Sequence, residues 1–165
     1  MPLLAPDDYL SSVLLVDPEA LRAQGVRVVL LDIDNTLVPR DTHVLSAETK
    51  EWVGRLKDCG LRPCLLSNNW HRVVFAYADE LDVPIVYKAM KPLPFAYLRA
   101  VRKAGRVKGE KAVMIGDQIF TDILGARILR LGAILVIPQA TRDLWYTLLL
   151  RRLEQLVLGD RQPRE

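Results

Sequence analysis

Two aspartates, Asp32 and Asp34, stand one residue apart at the end of an apolar run, in the stretch Val-Val-Leu-Leu-Asp-Ile-Asp-Asn-Thr-Leu-Val at 28–38. Side chains two positions apart on a strand share a face, so both carboxyls point to the same side where the strand runs out. Two like charges held ~4 Å apart repel by ~4 kcal/mol at an effective dielectric of ~20. A fold tolerates that when a cation sits beside the pair or when one carboxyl keeps its proton. A strand running into an Asp-rich turn accounts easily for one of the two. It accounts less well for both, followed by Asn35, Thr36 and another apolar pair. Further along come Ser67 with Asn68 and Asn69, then Lys91, then Asp117 with Asp122. Carboxylates, one hydroxyl and one lysine suit a divalent cation with a phosphate, and oxygen ligands without His or Cys favour Mg2+ over zinc. Asp32 and Asp117 are the candidate metal ligands, with Asp122 reaching the ion directly or through water. Ser67 and the adjacent amides, Asn68 included, can donate to phosphoryl oxygens, and Lys91 supplies a fixed positive charge. Of the paired aspartates, one can attack phosphorus and form an acyl phosphate. The other can protonate the leaving oxygen and then activate water.

These groups must be carried by elements that end at one place. Residues 26–32 read as a strand buried on both faces, as a central parallel strand must be. Strands at 61–66, 84–87, 111–115 and 133–137 follow, alternating with helices at 46–60, 71–81 and 95–104 and a helix from Thr121, as its cap, to about 130. An earlier helix starts at Asp17-Pro18-Glu19 and stops at Gly25. Alternation of this kind predicts an α/β fold: a three-layer, Rossmann-like, doubly wound parallel sheet. Ligands bind such sheets outside the carboxyl ends of the strands. Asp32/Asp34, Ser67/Asn68, Lys91 and Asp117 all stand at those ends. Each has a bland explanation taken singly; their coincidence on one rim is what argues for a site.

Composition narrows the class. Half of the 165 residues are hydrophobic and 26% are charged, which suits one folded domain of ordinary size, 1–165, with its core at about 26–138. The net charge of +3 and the lack of a Lys/Arg block argue against nucleic acid as a partner. Cys59 and Cys64 match no zinc spacing and no disulfide framework, which points to a reducing, cytoplasmic setting. No signal peptide is expected at the N-terminus, and no apolar run approaches the ~18 residues of a membrane span.

The motifs in order resemble the haloacid dehalogenase (HAD) superfamily of phosphatases. Asp32-Ile33-Asp34-Asn35-Thr36 is similar to its DxDxT motif, Ser67 to the second motif, Lys91-Pro92 to the third, and the Gly116–Asp122 segment to GDxxxxD. Ser67-Asn68-Asn69, Tyr87 to Pro92 and Thr121 to Gly125 further resemble the YqeG-type subfamily IIIA phosphatases and the related phosphatidylglycerophosphate phosphatases. The segment 126–131 departs from the family pattern, which has Asn-Arg after small residues. The resemblance implies Asp32 as nucleophile and Asp34 as general acid/base. It implies Mg2+ held by Asp32, the Asp34 main-chain carbonyl and Asp117, with Asp122 supporting, and phosphate held by Ser67, Asn68 and Lys91.

Many members of that superfamily insert a cap domain. Here only residues 35–45 lie between Asp34 and Ser46, and 68–90 between Ser67 and Lys91. The expectation is a capless HAD fold with an open site, suited to a phosphate on something large: a membrane lipid, a protein or a nucleic acid. A partner subunit could equally supply the cover. An amphipathic helix at about 141–158, with Trp145, Leu149, Leu153 and Leu156 on its apolar face and Arg142, Arg151 and Arg152 beside it, bears on this. It could pack on its own sheet, form a dimer seam, or contact the inner face of the membrane peripherally. The first expectation is a Mg2+-dependent phosphomonoesterase with phosphatidylglycerophosphate as leading substrate, and phosphoproteins, nucleotides or phosphosugars as alternatives. A receiver-like phospho-acceptor domain shares the sheet, a Ser/Thr and a Lys, but lacks counterparts of Asp34 and Asp117.

Overall fold

The computed structural model describes residues 3–139 and 162–165. Its strands are β1 (Asp8–Leu10), β2 (Val26–Leu31), β3 (Arg62–Leu66), β4 (Ile85–Val86), β5 (Lys111–Gly116) and β6 (Gly132–Val136). Its α-helices are α1 (Pro18–Ala23), α2 (Ala47–Asp58), α3 (Val73–Leu81), α4 (Pro94–Lys103) and α5 (Leu124–Ile128). All six strands form one sheet in the order β1-β6-β5-β2-β3-β4, and every neighbouring pair is parallel. The expected helix at 141–158 lies outside the described residues.

Strand alternation divides the core into two layers. Val29 and Leu31 of β2 face Trp52, Val53 and Leu56 of α2 and Val74 and Ala78 of α3. Val28 and Leu30 face the other way, onto Tyr97 and Ala100 of α4 and Ala126 of α5. Side chains at the sequence-predicted starts cap the first two helices. Asp17 accepts the Glu19 N–H at 2.9 Å, and Ser46 accepts the Thr49 N–H at 3.1 Å. The link from β2 to α2 carries no helix or strand of its own, and that from β3 to β4 carries only α3. No cap domain interrupts the described fold.

Two expectations need correction. The core does not begin at 26, because β1 pairs with β6 as an edge strand. Asp7 staples it from beside the strand: its main-chain N–H donates to Ala133 O at 2.7 Å, and its carboxylate accepts the Ala133 N–H and pairs with Arg127. The last described residues extend this edge, since Ser11 N–H donates to Arg164 O and Arg164 N–H to Tyr9 O. Nor does Thr121 cap a helix. The chain after β5 enters a π-helical turn over Ile119–Ile123, in which the Ile123 N–H reaches back to Gln118 O at 3.3 Å. Thr121 sits inside that turn, its hydroxyl on the Gln118 side chain at 3.2 Å. Wide turns of this kind are rare and concentrate at functional sites.

Candidate active site

Three of the site residues follow directly from strand ends. Asp32, Ser67 and Asp117 are the first residues beyond β2, β3 and β5, and the Asp32 N–H still donates to Ile115 O at 3.0 Å. Lys91 is brought back from β4 by a bent segment in which Lys88 and Met90 take positive φ. The Asn68 side chain fixes its end point: Oδ1 accepts the Lys91 N–H at 2.7 Å and Nδ2 donates to Lys91 O at 3.3 Å. So held, the Lys91 ammonium donates to Asp32 Oδ1 at 2.5 Å and lies 2.7 Å from Asp122 Oδ1. Lys91, Asp32, Asp117 and Asp122 are all buried, and Asp122 is wholly so.

The π-helical turn is what delivers Asp122. Its N–H bonds Gln118 O at 2.9 Å while its Oδ2 accepts the Gln118 N–H at 3.1 Å. Tyr97 of α4 braces the turn from below, its hydroxyl donating to Thr121 O at 2.7 Å and approaching Asp122 O at 3.3 Å. Two glycines leave the necessary room. A Cβ on Gly116 would strike the Asp122 carboxyl, and one on Gly125 would strike the Tyr97 ring.

Asp32, Asp117 and Asp122 each present an oxygen within 4.8 Å of the others. Asp117 Oδ1 is buried and has no hydrogen-bond partner among the described residues. An unpartnered carboxylate oxygen in such a place is costly unless a proton or a cation meets it. The titration of the cluster says the same. Burial, with the Asp32 and Asp122 charges adding, raises the Asp117 carboxyl well above the ordinary range. Burial pushes Asp122 up to about 7, Lys91 opposing and Asp32 adding. Burial alone would depress the Lys91 ammonium, but Asp122 and Asp32 outweigh it and hold it above the usual lysine range. The cluster is short of positive charge. A hard divalent cation on an all-oxygen donor set fits that deficit.

Asp34 is placed differently. It is half-buried at the mouth and its carboxyl is not one of the clustered three. Burial and then the Asp32 charge raise its pKa, against the Asn69 hydrogen bond, Arg40 and Lys91. The Asn68 side chain is clamped to the Lys91 main chain through Oδ1 and one Nδ2 hydrogen, which leaves its second amide hydrogen and its main-chain N–H for other acceptors. Ser67 Oγ accepts the Asn69 N–H at 3.0 Å, which leaves its own hydrogen for another acceptor. Asn35, at φ 65°, turns the chain after the paired aspartates. His43, His71 and Arg72 are exposed. Trp70 is 64% exposed, with the Lys88 ammonium 4.9 Å from its ring.

Two residues to which the sequence assigned no role of their own join the site. Asn69 Nδ2 lies 3.3 and 3.4 Å from the two Asp34 oxygens. Gln139 reaches over from beyond β6, its N–H on Asn35 O at 3.0 Å and its Nε2 on Thr36 O at 2.6 Å. Position 69, next to Ser67-Asn68, carried a hint; Gln139 carried none.

The chain belongs to the haloacid dehalogenase-like hydrolases, whose family pattern matches residues 6–129. Within them it is a YqeG-type phosphatase: it is 36% identical over 154 residues to Probable phosphatase YqeG of Bacillus subtilis (strain 168), covering 93% of this chain and 89% of that one. Among solved structures, an HAD family hydrolase from Streptomyces avermitilis MA-4680 superposes with TM-score 0.56 at 20% identity, covering 72% of this chain and 70% of that one. The cobalt-bound deoxy-D-mannose-octulosonate 8-phosphate phosphatase (YrbI) of Haemophilus influenzae superposes with TM-score 0.55 at 13% identity, covering 82% and 88%. At these identities the two structures speak to the shared fold.

Proposed function

We propose that this phosphatase hydrolyses a phosphate monoester through an aspartyl-phosphate on Asp32, with Mg2+ as its cofactor. The observation that carries the reading is the buried Asp32–Asp117–Asp122 cluster beside Lys91, with an Asp117 oxygen that has no partner. Asp32, the Asp34 main-chain carbonyl and Asp117 would hold the metal, with Asp122 supporting. When bound, Mg2+ offsets the carboxylate repulsion and polarises the phosphoryl group. Asp32 Oδ attacks phosphorus as the ester P–O bond breaks, and the bonding pair leaves with the substrate oxygen. Asp34 gives that oxygen its proton, then takes one from the water that attacks the aspartyl-phosphate. The Ser67 hydroxyl, the main-chain N–H of Asn68 and the Lys91 ammonium receive the phosphoryl oxygens.

A phosphate on a large carrier is the substrate class, with phosphatidylglycerophosphate as leading case and action at the cytoplasmic face of the membrane. Two features support it. No cap domain among the described residues covers the mouth. Exposed Trp70, Val73, Met90, Leu93 and Phe95 come from the segments around it, alongside Lys88 and Arg72, and no Asp or Glu occurs between Asp82 and Glu110. No helix among the described residues is long and apolar enough to cross a membrane. A homo-oligomer is an alternative way to cover the open site.

Asp32→Asn should abolish Mg2+-dependent hydrolysis of p-nitrophenyl phosphate and leave the melting temperature close to wild type; undiminished turnover would sink the mechanism. A screen of phosphatidylglycerophosphate, phosphosugars, nucleotides and phosphopeptides, with and without anionic vesicles, tests the carrier. Higher kcat/KM on any soluble phosphate than on the lipid would overturn the lipid assignment and leave the chemistry standing.

A further inference from the structure

We propose that Asn69 is the positioning residue for the Asp34 carboxyl, fixing the proton-transfer group from within the domain. The inference rests on the reading of Asp34 as general acid/base. Among the four aspartates, Asp34 alone sits at the mouth, outside the carboxylate cluster and with no ion pair to Lys91. Among the described residues, the hydrogen-bond donor to its carboxyl is the Asn69 amide, which spans both of its oxygens at 3.3 and 3.4 Å.

The Asn69 amide is not free to turn. Its Oδ1 accepts the His71 N–H at 2.8 Å, so the NH2 end must face Asp34; the reversed amide would set its oxygen against a carboxylate and its NH2 against an N–H. Its main chain is held on both sides. The Asn69 N–H donates to Ser67 Oγ at 3.0 Å, and its carbonyl accepts the Lys88 N–H at 3.3 Å. A donor locked at three points therefore faces a carboxyl on a separate loop.

The chemistry follows from what an amide donor does to a carboxyl. It occupies oxygen lone pairs, so it favours the orientation in which the acidic hydrogen points away from Asn69. When the P–O bond breaks, that hydrogen passes to the leaving oxygen and Asp34 becomes a carboxylate. A donor already in place binds the anion more strongly than the acid, which assists the transfer. The return step, in which the Asp34 carboxylate takes a proton from water, uses the same held orientation.

Leaving-group dependence separates positioning from a structural role. A nitrophenolate departs without much help, whereas an alkoxide needs its proton. Asn69→Ala should lower kcat for an alkyl phosphate such as glycerol phosphate by about tenfold to a hundredfold, and for p-nitrophenyl phosphate by no more than about threefold. Asn69→Ser, which can still accept the His71 N–H but falls short of Asp34, should show the same selectivity and serves if the alanine variant folds poorly. In an Asp34→Asn background either substitution should have no further effect. Equal losses on both substrates in folded Asn69 variants, or additive losses in the double variant, would overturn the positioning role. If instead Asp34→Asn shows no leaving-group selectivity, the acid/base assignment fails, and the positioning role falls with it for that identifiable reason.

Discussion

At the level of single residues, the site is dominated by an excess of buried acid. Asp117 and Asp122 both titrate above the ordinary range, mainly from burial, and the sign of the consequence can be worked out. In the unfolded chain an aspartate loses its proton near ~4. In the metal-free fold Asp122 holds its proton up to about 7. The fold thus binds more protons than the unfolded chain between those values, and its stability falls as pH rises through that window. Metal ligation needs the deprotonated forms, so the cation restores most where the metal-free protein has lost most. The Mg2+-induced rise in Tm should be larger near pH 8 than near pH 5; the reverse order in a thermal melt would contradict the cluster as the metal site. This much was legible early, because Asp32, Ser67, Lys91 and Asp117 each interrupt or follow an apolar strand. The Asn69–Asp34 contact was not legible. It joins two loops 35 positions apart, which the parallel pairing of β2 with β3 sets side by side.

At the level of elements, each site residue is only as well placed as the turn that carries it. The π-helical turn is the clearest case, because Tyr97 supports Asp122 through the main chain rather than the carboxyl. Tyr97→Phe removes those bonds and should cost about 1 kcal/mol in denaturant unfolding. Gly125→Ala forces a methyl into the Tyr97 ring and should cost about 1–3 kcal/mol. Both should weaken Mg2+ binding by calorimetry, although neither residue is a ligand; wild-type Mg2+ affinity in both would show that the turn does not govern the cluster. Sequence reading found the helix after β5 but not its wide first turn. An i+5 hydrogen-bond register leaves no compositional mark, and Thr121 before Asp122 looks like an ordinary cap. β2, β3, β5 and β6 were readable for the opposite reason: strands buried on both faces read as near-continuous apolar runs. β1 is three residues long and only partly buried, too short for any period to show.

The molecule as a whole is a sheet with two edges, and they are closed in different ways. At one side β4 is two residues long and offers little backbone to a stranger. At the other, among the described residues Arg164 meets the outer main-chain groups of β1. That residue exchanges main-chain bonds of 2.9 and 2.8 Å with Ser11 and Tyr9, and its guanidinium pairs with Asp8 at 2.9 Å. Deleting 162–165 should lower stability by about 1–2 kcal/mol, the two main-chain bonds at about 1 kcal/mol each. It should also make light scattering at rest depend on protein concentration; an unchanged, monodisperse shortened protein would mean the edge needs no cover. If that concentration dependence holds, the Arg164 pairing acts as a guard against strand-by-strand aggregation. A tag fused directly to the last few residues would test solubility before it tested catalysis.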